Sequence, residues 1–402
     1  MEARALFRVG LALNSSALGP QPSTANYNIE TSRVEGFSLQ RGRSNERSEI
    51  QPGALSLRLR NHDGRFTVAN GAGPYTGHLR PGRSVFIKAA PVDGAYYGEA
   101  DIGLDCYGAS TDYSYVWRGY LTDIPTKYRN DDPFIDIKAV DGLARLSLGN
   151  MVAAPNATWG STDIISNAIT HANGGFVTTR ELTGGSLSQT TNSLTTGAPM
   201  ARIRQVVESE GNAAIFYYSK AGVAVFRGST HRQIDTASNL PHFTRGSLVD
   251  FSENMSDRDQ FSAVVVHGAS NPASAVDTTA QTNYGPTEWR ISAPMRTSNQ
   301  ASALAVFLLG KYADYVSGLG AVRPRVKLSA MSKGTICQML GRDLDDPIQI
   351  DIDTSTGVAG GPAATVANLW AFIDGIDLSV GPNGTEISAE WQLSRAELYS
   401  GF

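Results

Sequence analysis

The segment Asn61-His62-Asp63-Gly64 places side chains that can bind a metal ion or transfer protons next to one another. It directly follows residues 55–60, where leucine alternates with serine or arginine, a pattern that predicts a half-buried β-strand. Asp-Gly is a strong signal for a tight turn, and Asn and Asp side chains bond to nearby backbone in turns. Because no recurring partner completes a site, we interpret Asn61, His62 and Asp63 as the corner of a sheet.

Acidic side chains cluster in residues 343–353, a second place where the residue types permit chemistry. The spacing does not match the calcium-loop pattern, and Pro347 interrupts the run. Paired carboxylates also cleave glycosidic bonds when their separation is suitable. We favour a solvated entry to a strand, and we keep a bound cation and a catalytic pair as open alternatives. The acids concerned are Asp343, Asp345, Asp346, Asp351 and Asp353.

The other residues capable of chemistry are dispersed along the chain. The sequence contains no phosphate-binding loop, dinucleotide-binding glycine motif, zinc-protease motif or serine-hydrolase elbow. His171 ends a predicted helix, where a cation suits the helix dipole, and His267 ends a predicted strand. We therefore predict no catalytic, cofactor-binding or metal-binding residues, no cofactor and no enzymatic activity. The histidines, which lack metal-ligand spacing, are His62, His78, His171, His231, His242 and His267.

The bulk composition describes a folded chain with no strong electrostatic preference for a partner. Of its 402 residues, 41% are apolar and 18% are charged, which excludes a disordered protein. The formal net charge of −4 gives no global attraction to nucleic acid or to a membrane. No apolar run reaches the roughly 18 residues of a spanning helix, and Glu2 interrupts a weakly signal-like N-terminus. We expect a soluble product of a cytoplasm.

Arginine, aromatic and cysteine residues each have a structural and a functional interpretation. Arginines concentrate between residues 33 and 88, and we favour a solvated sheet face over a basic surface for a partner. Tyr115 and Trp117 alternate along a predicted strand, which favours packing in a core over an exposed interface. Cys106 and Cys337 are the only cysteines, and we expect thiols, with neither a disulfide framework nor a zinc site.

The period of the apolar residues divides the chain into three parts. Residues 31–148 contain short alternating segments separated by turn residues, which is typical of an antiparallel barrel or sandwich. Between them and a second β-rich part lies a mixed segment. We place the boundaries at 1–150, 151–238 and 239–402, and predict a mainly β chain with a small α/β insert.

Helical periodicity occurs in the second and third parts. Apolar residues at helical spacing predict helices over residues 161–175 and 199–211, followed by a hairpin over 214–228. The Ser/Thr/Gly-rich residues 178–198 between the helices predict a surface loop. In the third part, one helix is predicted near residues 297–316 among closing strands.

A series of structural residues in the first part resembles the N-terminal region of minor tail proteins of long-tailed bacteriophages, particularly those infecting actinobacteria. The residues that carry the resemblance are Arg41-Gly42-Arg43, Gly53 to Arg60, Asn61 to Phe66, and Leu79-Arg80-Pro81. Segments 116–125, 134–147, 200–228 and 387–402 are similar to later parts of the same family. The similarity covers most of the chain, is strongest over residues 33–148, and carries no catalytic signature.

The resemblance implies a baseplate-hub protein with two tube-type antiparallel β-barrel regions flanking the mixed domain. Three chains would form a pseudo-sixfold ring that continues the tail tube, adapts it to a threefold tip, and takes part in DNA-channel closure and cell entry. The implied partners are further copies of the chain, a distal tail or tube protein above, tip or fibre proteins below, and a tape-measure protein in the lumen. Genomic DNA would be present only in transit. The implied location is the virion tail tip, assembled in the host cytoplasm.

Two other functions remain open at this point. A sixfold distal tail adaptor would contain a single tube barrel and form a sixfold ring. A glycan-binding or glycan-cleaving tail protein would present a cleft with exposed aromatic rings and two close carboxylates, with Asp345 and Asp351 as the acids to substitute.

Overall fold

Strands predominate in a computed structural model of the chain, which also contains six α-helices in its described part. The helices are α1 (Gly142–Leu146), α2 (Ser161–His171), α3 (Pro199–Glu210), α4 (Thr278–Tyr284), α5 (Ser298–Tyr312) and α6 (Lys333–Gly341). The structure describes residues 5–13, 27–68, 70–91, 114–124, 134–148, 158–172, 179–190, 198–211, 213–229, 231–232, 241–243, 248, 250–255, 259–313, 322–329, 333–353, 366–382 and 386–399.

The strands fall into four sheets, one of which contains 13 strands. In chain order the strands are β1 (Ala5–Leu11), β2 (Asn28–Ile29), β3 (Val34–Gly42), β4 (Gln51–Arg60), β5 (Ser84–Pro91), β6 (Ser114–Asp123), β7 (Phe134–Val140), β8 (Thr158–Gly160), β9 (Arg180–Thr183), β10 (Ser188–Thr190), β11 (Ile215–Tyr218), β12 (Ala224–Arg227), β13 (His242–Phe243), β14 (Asp250–Met255), β15 (Ala263–His267), β16 (Pro272–Val276), β17 (Glu288–Ser292), β18 (Val322–Ser329), β19 (Pro347–Asp353), β20 (Val366–Val380) and β21 (Ile387–Arg395).

The large sheet joins strands from both ends of the chain. Its main path runs β14-β18-β21-β20-β3-β4-β7-β6-β5-β1-β2, and β19 and β13 branch from β20. Neighbours along the main path are antiparallel, and among the described strands of this sheet only β13 and β19 pair in parallel. We call this 13-stranded assembly the continuous sheet.

Alternation along each strand gives the continuous sheet one buried and one exposed face. In β4 the leucines at 55, 57 and 59 are buried while Arg58 and Arg60 are exposed. Leu57 lies opposite Phe37 of β3 and Ile137 of β7, so the buried face is apolar from strand to strand. Full burial of each such side chain contributes about 1.5–3 kcal/mol, which fixes the register against a one-residue slip.

Strand β20 connects the two β-rich parts. One edge of β20 pairs with β19 along residues 366–372 and with β3 along residues 375–380, while the other edge pairs with β21. The pairing with β21 shifts between Ile373 and Gly375, which leaves Asp374 as a bulged residue. A bulge re-aims a side chain and bends the strand. Here it occurs where β20 changes partners.

The prediction of a mainly β chain with a large antiparallel component is confirmed. The expected separation into two barrel regions takes a different form, since strands from the first and third parts belong to one sheet. Within the described residues this sheet does not close on itself: its path ends at β14 and at β2. Strands β3 and β20 pair although their residues are over 300 positions apart in the sequence. The local periodicity of a sequence cannot predict a pairing between such distant strands.

Two helices and a three-stranded sheet lie in the middle part of the chain. Helices α2 and α3 lie against a three-stranded sheet in the order β11-β12-β9, and the predicted apolar stripe of α2 is buried. The predicted hairpin is present as β11 and β12. Residues 178–198 were predicted as a loop, but their described portion contains β9 and β10, which pair with β12 and β8.

A second α/β unit, which periodicity did not indicate, occupies residues 259–313. Strands β16, β15 and β17 form a three-stranded sheet, and α5 covers one face of it. Its apolar core includes Val264, Val266, Leu304 and Leu308, and Ala213, Phe372, Leu398 and Tyr399 from outside the unit belong to the same core. Helix α5 matches the predicted helix near 297–316, whereas α4 and α6 were not anticipated.

None of the described helices is long and apolar enough to cross a membrane. Cys337, on α6, is disulfide-bonded, so the expectation of a thiol is wrong at this position. Cys106 and the greater part of the long loop expected at 91–114 lie outside the described residues.

Candidate functional site: the exposed face of the continuous sheet

A row of serines crosses the exposed face of the continuous sheet. Cα pairing places Ser329 opposite Ser388, and Ser388 opposite Ser379. The same row continues from Ser379 to Ser38 and from Ser38 to Ser56. The row therefore runs perpendicular to β18, β21, β20, β3 and β4. We call these residues the serine row.

A groove of about 800 Å³ follows the serine row. The serines are small, and longer side chains stand in the row beside them and at one end. Lys138 lies next to Ser56 at one end of the row, and the parallel row contains Lys327, Glu390, Asp377 and Gln40. Strands from both β-rich parts thus contribute to one groove, in which hydroxyl, charged and amide groups stand on a largely apolar surface.

Charges along the groove are largely compensated. Glu390 contacts Lys327 at 3.9 Å and Arg325 at 3.6 Å. Asp377 accepts a hydrogen bond of 3.0 Å from Gln392 Nε2. Partial burial, followed by repulsion from Glu390, raises the pKa of Asp377. The groove consequently presents hydroxyls with two lysines and two carboxylates, and these four charges sum to zero.

A buried ion-pair cluster holds the three parts of the chain together behind this face. Asp374 accepts hydrogen bonds from Arg43 at 3.0 Å and from Arg232 at 2.9 Å. Arg232 is fully buried, and it also donates to Asp345 at 2.6 Å and to the Tyr399 hydroxyl at 2.7 Å. Three segments distant in sequence meet at these residues, which we call the Asp374 cluster.

The electrostatics of the Asp374 cluster favour charged side chains in spite of burial. Burial by itself raises the pKa of Asp374, but attraction to Arg43 and Arg232 outweighs it and lowers the pKa. Burial likewise lowers the pKa of Arg232, but Tyr399, Asp374 and Asp345 raise it well above its usual value. The two arginines and two aspartates of this cluster balance in charge, and one carboxylate oxygen, Asp374 Oδ2, is buried with no hydrogen-bond partner among the described residues.

Arg47 forms a separate contact between the first part and the unit at 259–313. Its guanidinium lies 4.9 Å from the ring centre of Phe261, 5.6 Å from that of Trp289 and 5.9 Å from that of Tyr312. Arg47 also pairs with the buried carboxylate of Asp259. Cation–π contacts of this kind contribute most when the cation is desolvated.

The Asn61-His62-Asp63 segment is the corner of the sheet that its sequence predicts. Asn61 Oδ1 accepts the backbone N–H of Phe66 at 2.9 Å, and Asp63 pairs with Arg33 and Arg65. His62 is exposed and lies against the ring of Phe134, with 6.4 Å between ring centres. These contacts satisfy the polar groups of the turn and assemble no reactive set.

The acidic segment 343–353 does not form the solvated strand entry that we favoured. Asp345 is 4% exposed and bonds to Arg232, and Asp343 contacts buried Arg41 at 2.7 Å. Asp351 contacts His242 at 2.5 Å, at a distance along the strand from the Asp374 cluster. Within the described residues, no group of three or more His, Cys, Asp or Glu side chains is arranged to hold a metal ion.

The arginine-rich stretch also differs from its favoured interpretation. Arg41, Arg43 and Arg83 are buried at 4%, 8% and 2% exposure, so part of this stretch stabilises the interior. Trp117 is buried in the core as predicted, whereas Tyr115 is half-buried beside Lys88. His171 is exposed at the end of α2, and His267 is exposed at the end of β15.

Sequence reasoning missed the residues that join the parts of the molecule. Nothing in the local pattern singles out Arg232 or Asp374, because their partners are more than 100 positions away. Arg41-Gly42-Arg43 did carry a signal, as an unusual pair of arginines at the end of a strand. Both of these arginines are buried in ion pairs.

Comparisons with known proteins identify the fold. No known family matches the sequence, and no curated protein matches it. The structure is similar to the 43 kDa tail protein of prophage MuSo2 from Shewanella oneidensis, with a TM-score of 0.56 and 13% identity, covering 98% of this chain and 100% of that one. A tail protein from Neisseria meningitidis gives a TM-score of 0.57 at 10% identity, with 98% of each chain covered.

A third similar structure is the prophage tail protein gp18 from Listeria monocytogenes. It gives a TM-score of 0.51 at 9% identity, covering 96% of this chain and 94% of that one. The three matches extend over nearly the whole chain, so the continuous sheet and both α/β units together form a fold shared with these tail proteins.

Proposed function

We propose that this chain is a structural component of a phage tail tip, with no enzymatic activity, and that three copies form a baseplate-hub ring. The observation that carries the proposal is the continuous sheet, which gives one long exposed face to two β-rich parts of a chain with a tail-protein fold. Two such parts per chain would supply six from three copies. That number is what a threefold ring needs to continue a sixfold tube.

In the proposed ring the serine row lines the channel. Lysine and arginine side chains bind the phosphates of DNA by replacing its counterions, so a channel lined with them would slow DNA that passes through it. Serine hydroxyls and locally paired charges give such a lining little hold on phosphates. The buried Asp374 cluster would keep the two β-rich parts of each copy in a fixed relation while the ring closes. The described part of a single chain contains no closed barrel. In the proposed ring, neighbouring copies would complete the barrels.

A place in such a ring implies the partners that we propose. They are two further copies of the chain, a distal tail or tube protein above, tip or fibre proteins below, and a tape-measure protein in the lumen until DNA passes. The proposed location is the virion tail tip after assembly in the host cytoplasm. Ring subunits associate through broad self-complementary faces, so a compact binding motif is not required.

Averaged electron-microscope images of purified tail tips test this proposal directly. Threefold density with two β-rich parts per chain around the channel is the expected result. A sixfold ring would overturn the trimer and assign the chain to the distal adaptor. Density confined to the periphery, away from the channel, would contradict a lining role and favour receptor or glycan binding.

A glycan-cleaving role has one observation in its favour. Asp377 lies opposite Glu390 in the groove, and the two carboxylates have different environments. Glycosidases also require a substrate platform, and the described lining of this groove contains no aromatic side chain. Asp345 and Asp351, the acids considered from sequence, lie elsewhere and are paired with Arg232 and His242. Cell-wall hydrolysis that is lost in Asp377→Asn would establish this second function.

A further inference from the structure

A cleft of about 330 Å³ lies where α3, β17 and residues 46–50 meet. Met200, Ile203 and Val207 of α3 form one wall at helical spacing. Leu304 and Leu308 of α5 contribute further apolar surface, and β17 forms the opposite wall with residues 289–292. This cleft is separate from the groove over the serine row, and the proposed ring makes no use of it.

The wall formed by β17 is the edge of a sheet. In the described part of the chain β17 pairs with β15 alone, in parallel. Thr287 O accepts from Ala263 N, and Ala293 N donates to His267 O, so odd-numbered residues of this strand bond to β15. Because alternate residues of a parallel strand bond to opposite sides, the backbone groups of residues 288, 290 and 292 point toward the open edge. An open edge is a template for an added strand.

Four arginines and three glutamates line the cleft, and Arg43, Arg47, Arg290 and Glu46 are paired with groups elsewhere in the chain. On the α3 side this leaves Arg204 with Glu49 and Glu208. Arg204 contacts Glu49 at 3.0 Å. Partial burial, then repulsion from Glu49, raises the pKa of Glu208, and Arg204 offsets this only in part. Arg204 pairs with Glu49, so its charge only partly offsets that of Glu208. A cationic side chain placed beside Glu208 would relieve this repulsion.

We propose that the cleft binds an extended peptide segment of another tail protein, one with alternating aliphatic residues and a lysine or arginine between them. The segment adds a strand to the open edge of β17. Its aliphatic side chains contact Val207 and the neighbouring apolar wall, and its cation lies beside Glu49 and Glu208. A helix and a strand edge bounding one apolar cleft is a general arrangement for binding extended peptides. This inference does not depend on how many copies form the ring.

Fluorescence anisotropy with the purified full-length chain tests the proposal. The probe is a labelled peptide, Thr-Val-Lys-Val-Thr-Val, acetylated and amidated at its ends, and the matched peptide carries Glu in place of Lys. We expect the lysine peptide to bind and the glutamate peptide to bind at least about tenfold more weakly. Val207→Arg should weaken binding of the lysine peptide by about tenfold or more, since it fills the cleft with a bulky cation.

Two control comparisons separate loss of the site from loss of the fold. Val306 is 62% exposed on α5 and does not line the cleft, so Val306→Arg should leave binding unchanged. Arg290→Pro removes a backbone N–H that faces the open edge and should abolish binding, whereas Arg290→Ala should retain it. Circular dichroism establishes that each variant is folded.

Several results would overturn the proposal. They are equal binding of both peptides, full binding by Val207→Arg, or no binding of the lysine peptide at about 1 mM. Self-association of the wild-type chain that Val207→Arg abolishes without added peptide would assign the cleft to a second copy instead. A failed peptide experiment together with a threefold ring in tail tips would leave the proposed function intact.

Discussion

Asp374 receives hydrogen bonds from two arginines that come from different parts of the chain, and all three side chains are buried. Asp345 pairs with Arg232 as well, so two arginines and two aspartates balance in charge only while each of them is present. The lowered pKa of Asp374 and the raised pKa of Arg232 both reflect this mutual dependence. At the scale of the residue, the interior of this protein therefore contains charges that depend on one another, beside its apolar packing.

Replacement of the central carboxylate should be costly. Asp374→Asn removes the negative charge while Arg43 and Arg232 stay buried, and we expect a loss of about 3–5 kcal/mol in the free energy of unfolding. Asp377→Asn, a similar change on the exposed face of the same strand, should change it by less than about 0.5 kcal/mol. Urea unfolding followed by circular dichroism measures both. Equal effects of the two variants would contradict the role assigned to the Asp374 cluster.

The carboxyl group of Asp141 makes the free energy of unfolding fall as the pH rises. It is buried, and burial outweighs the hydrogen bonds from Gly53 and Leu143 and the charge of Arg41, raising its pKa to about 7. A carboxyl with a raised pKa in the folded state stabilises that state fully below its unfolded pKa, near 4, and loses this contribution as the pH rises to 7.

The corresponding experiment compares wild type with Asp141→Asn across this pH range. The wild type should lose about 1.4 kcal/mol for each unit of pKa shift between pH 4 and pH 7, relative to the variant. Taking the difference between the two proteins cancels other carboxylates, including Asp374, whose lowered pKa acts in the opposite direction. A difference that is flat, or that grows in favour of wild type with pH, would show that Asp141 is ionised in the folded state.

At the scale of the element, the junction of β3 and β20 depends on the conformation of single backbone positions. Gly42 has a φ of +90°, and a Cβ atom at this position would lie 2.1 Å from the Asp374 carbonyl oxygen. Glycine adopts positive φ without the steric cost that other residues bear. The bulge at Asp374 and the end of β3 thus fit together only through a glycine.

Gly42→Ala should consequently destabilise the junction. We expect a loss of at least about 2 kcal/mol, from positive φ and from displacement of β20. Gly71→Ala is the matched change, because a Cβ there meets nothing within 4 Å. Thermal unfolding gives both values. A Gly42→Ala protein as stable as the Gly71→Ala protein would mean that the two strands separate easily at this point.

Local sequence pattern accounts for the individual elements much better than for their assembly. Alternation identified β4 and β21, and helical spacing with caps identified α2, α3 and α5. The serine row was not predictable, although each serine is visible in an alternating segment, because its register depends on pairings between distant strands. The second α/β unit was missed for the same reason, since its parallel pair β15–β17 is separated by a hairpin strand and α4.

At the scale of the whole molecule, Arg47 ties the unit at 259–313 to the first part, together with Glu46, which accepts a hydrogen bond of 2.8 Å from the Tyr312 hydroxyl. Its guanidinium is surrounded by aromatic rings of that unit and paired with Asp259. Arg47→Ala should weaken the attachment by about 2 kcal/mol, so amide hydrogen exchange should accelerate in α5 and β15 while the continuous sheet is unaffected. Arg290→Ala, on an exposed arginine of the same unit, should change neither. Uniform acceleration throughout the chain would contradict a local attachment.

The proposed ring makes the exposed face of the sheet a channel wall, and this leads to a prediction for the assembled particle. Ser379 is exposed at the middle of the serine row, so Ser379→Arg should leave folding of the chain unchanged. In a ring it would place one new cation per copy in the channel, where it attracts phosphates of DNA in transit. Particles should assemble with normal tails but release DNA more slowly and form fewer plaques, with a smaller defect at high salt. Ser379→Ala should behave as wild type. Normal DNA release by intact Ser379→Arg particles would show that the serine row faces away from the channel.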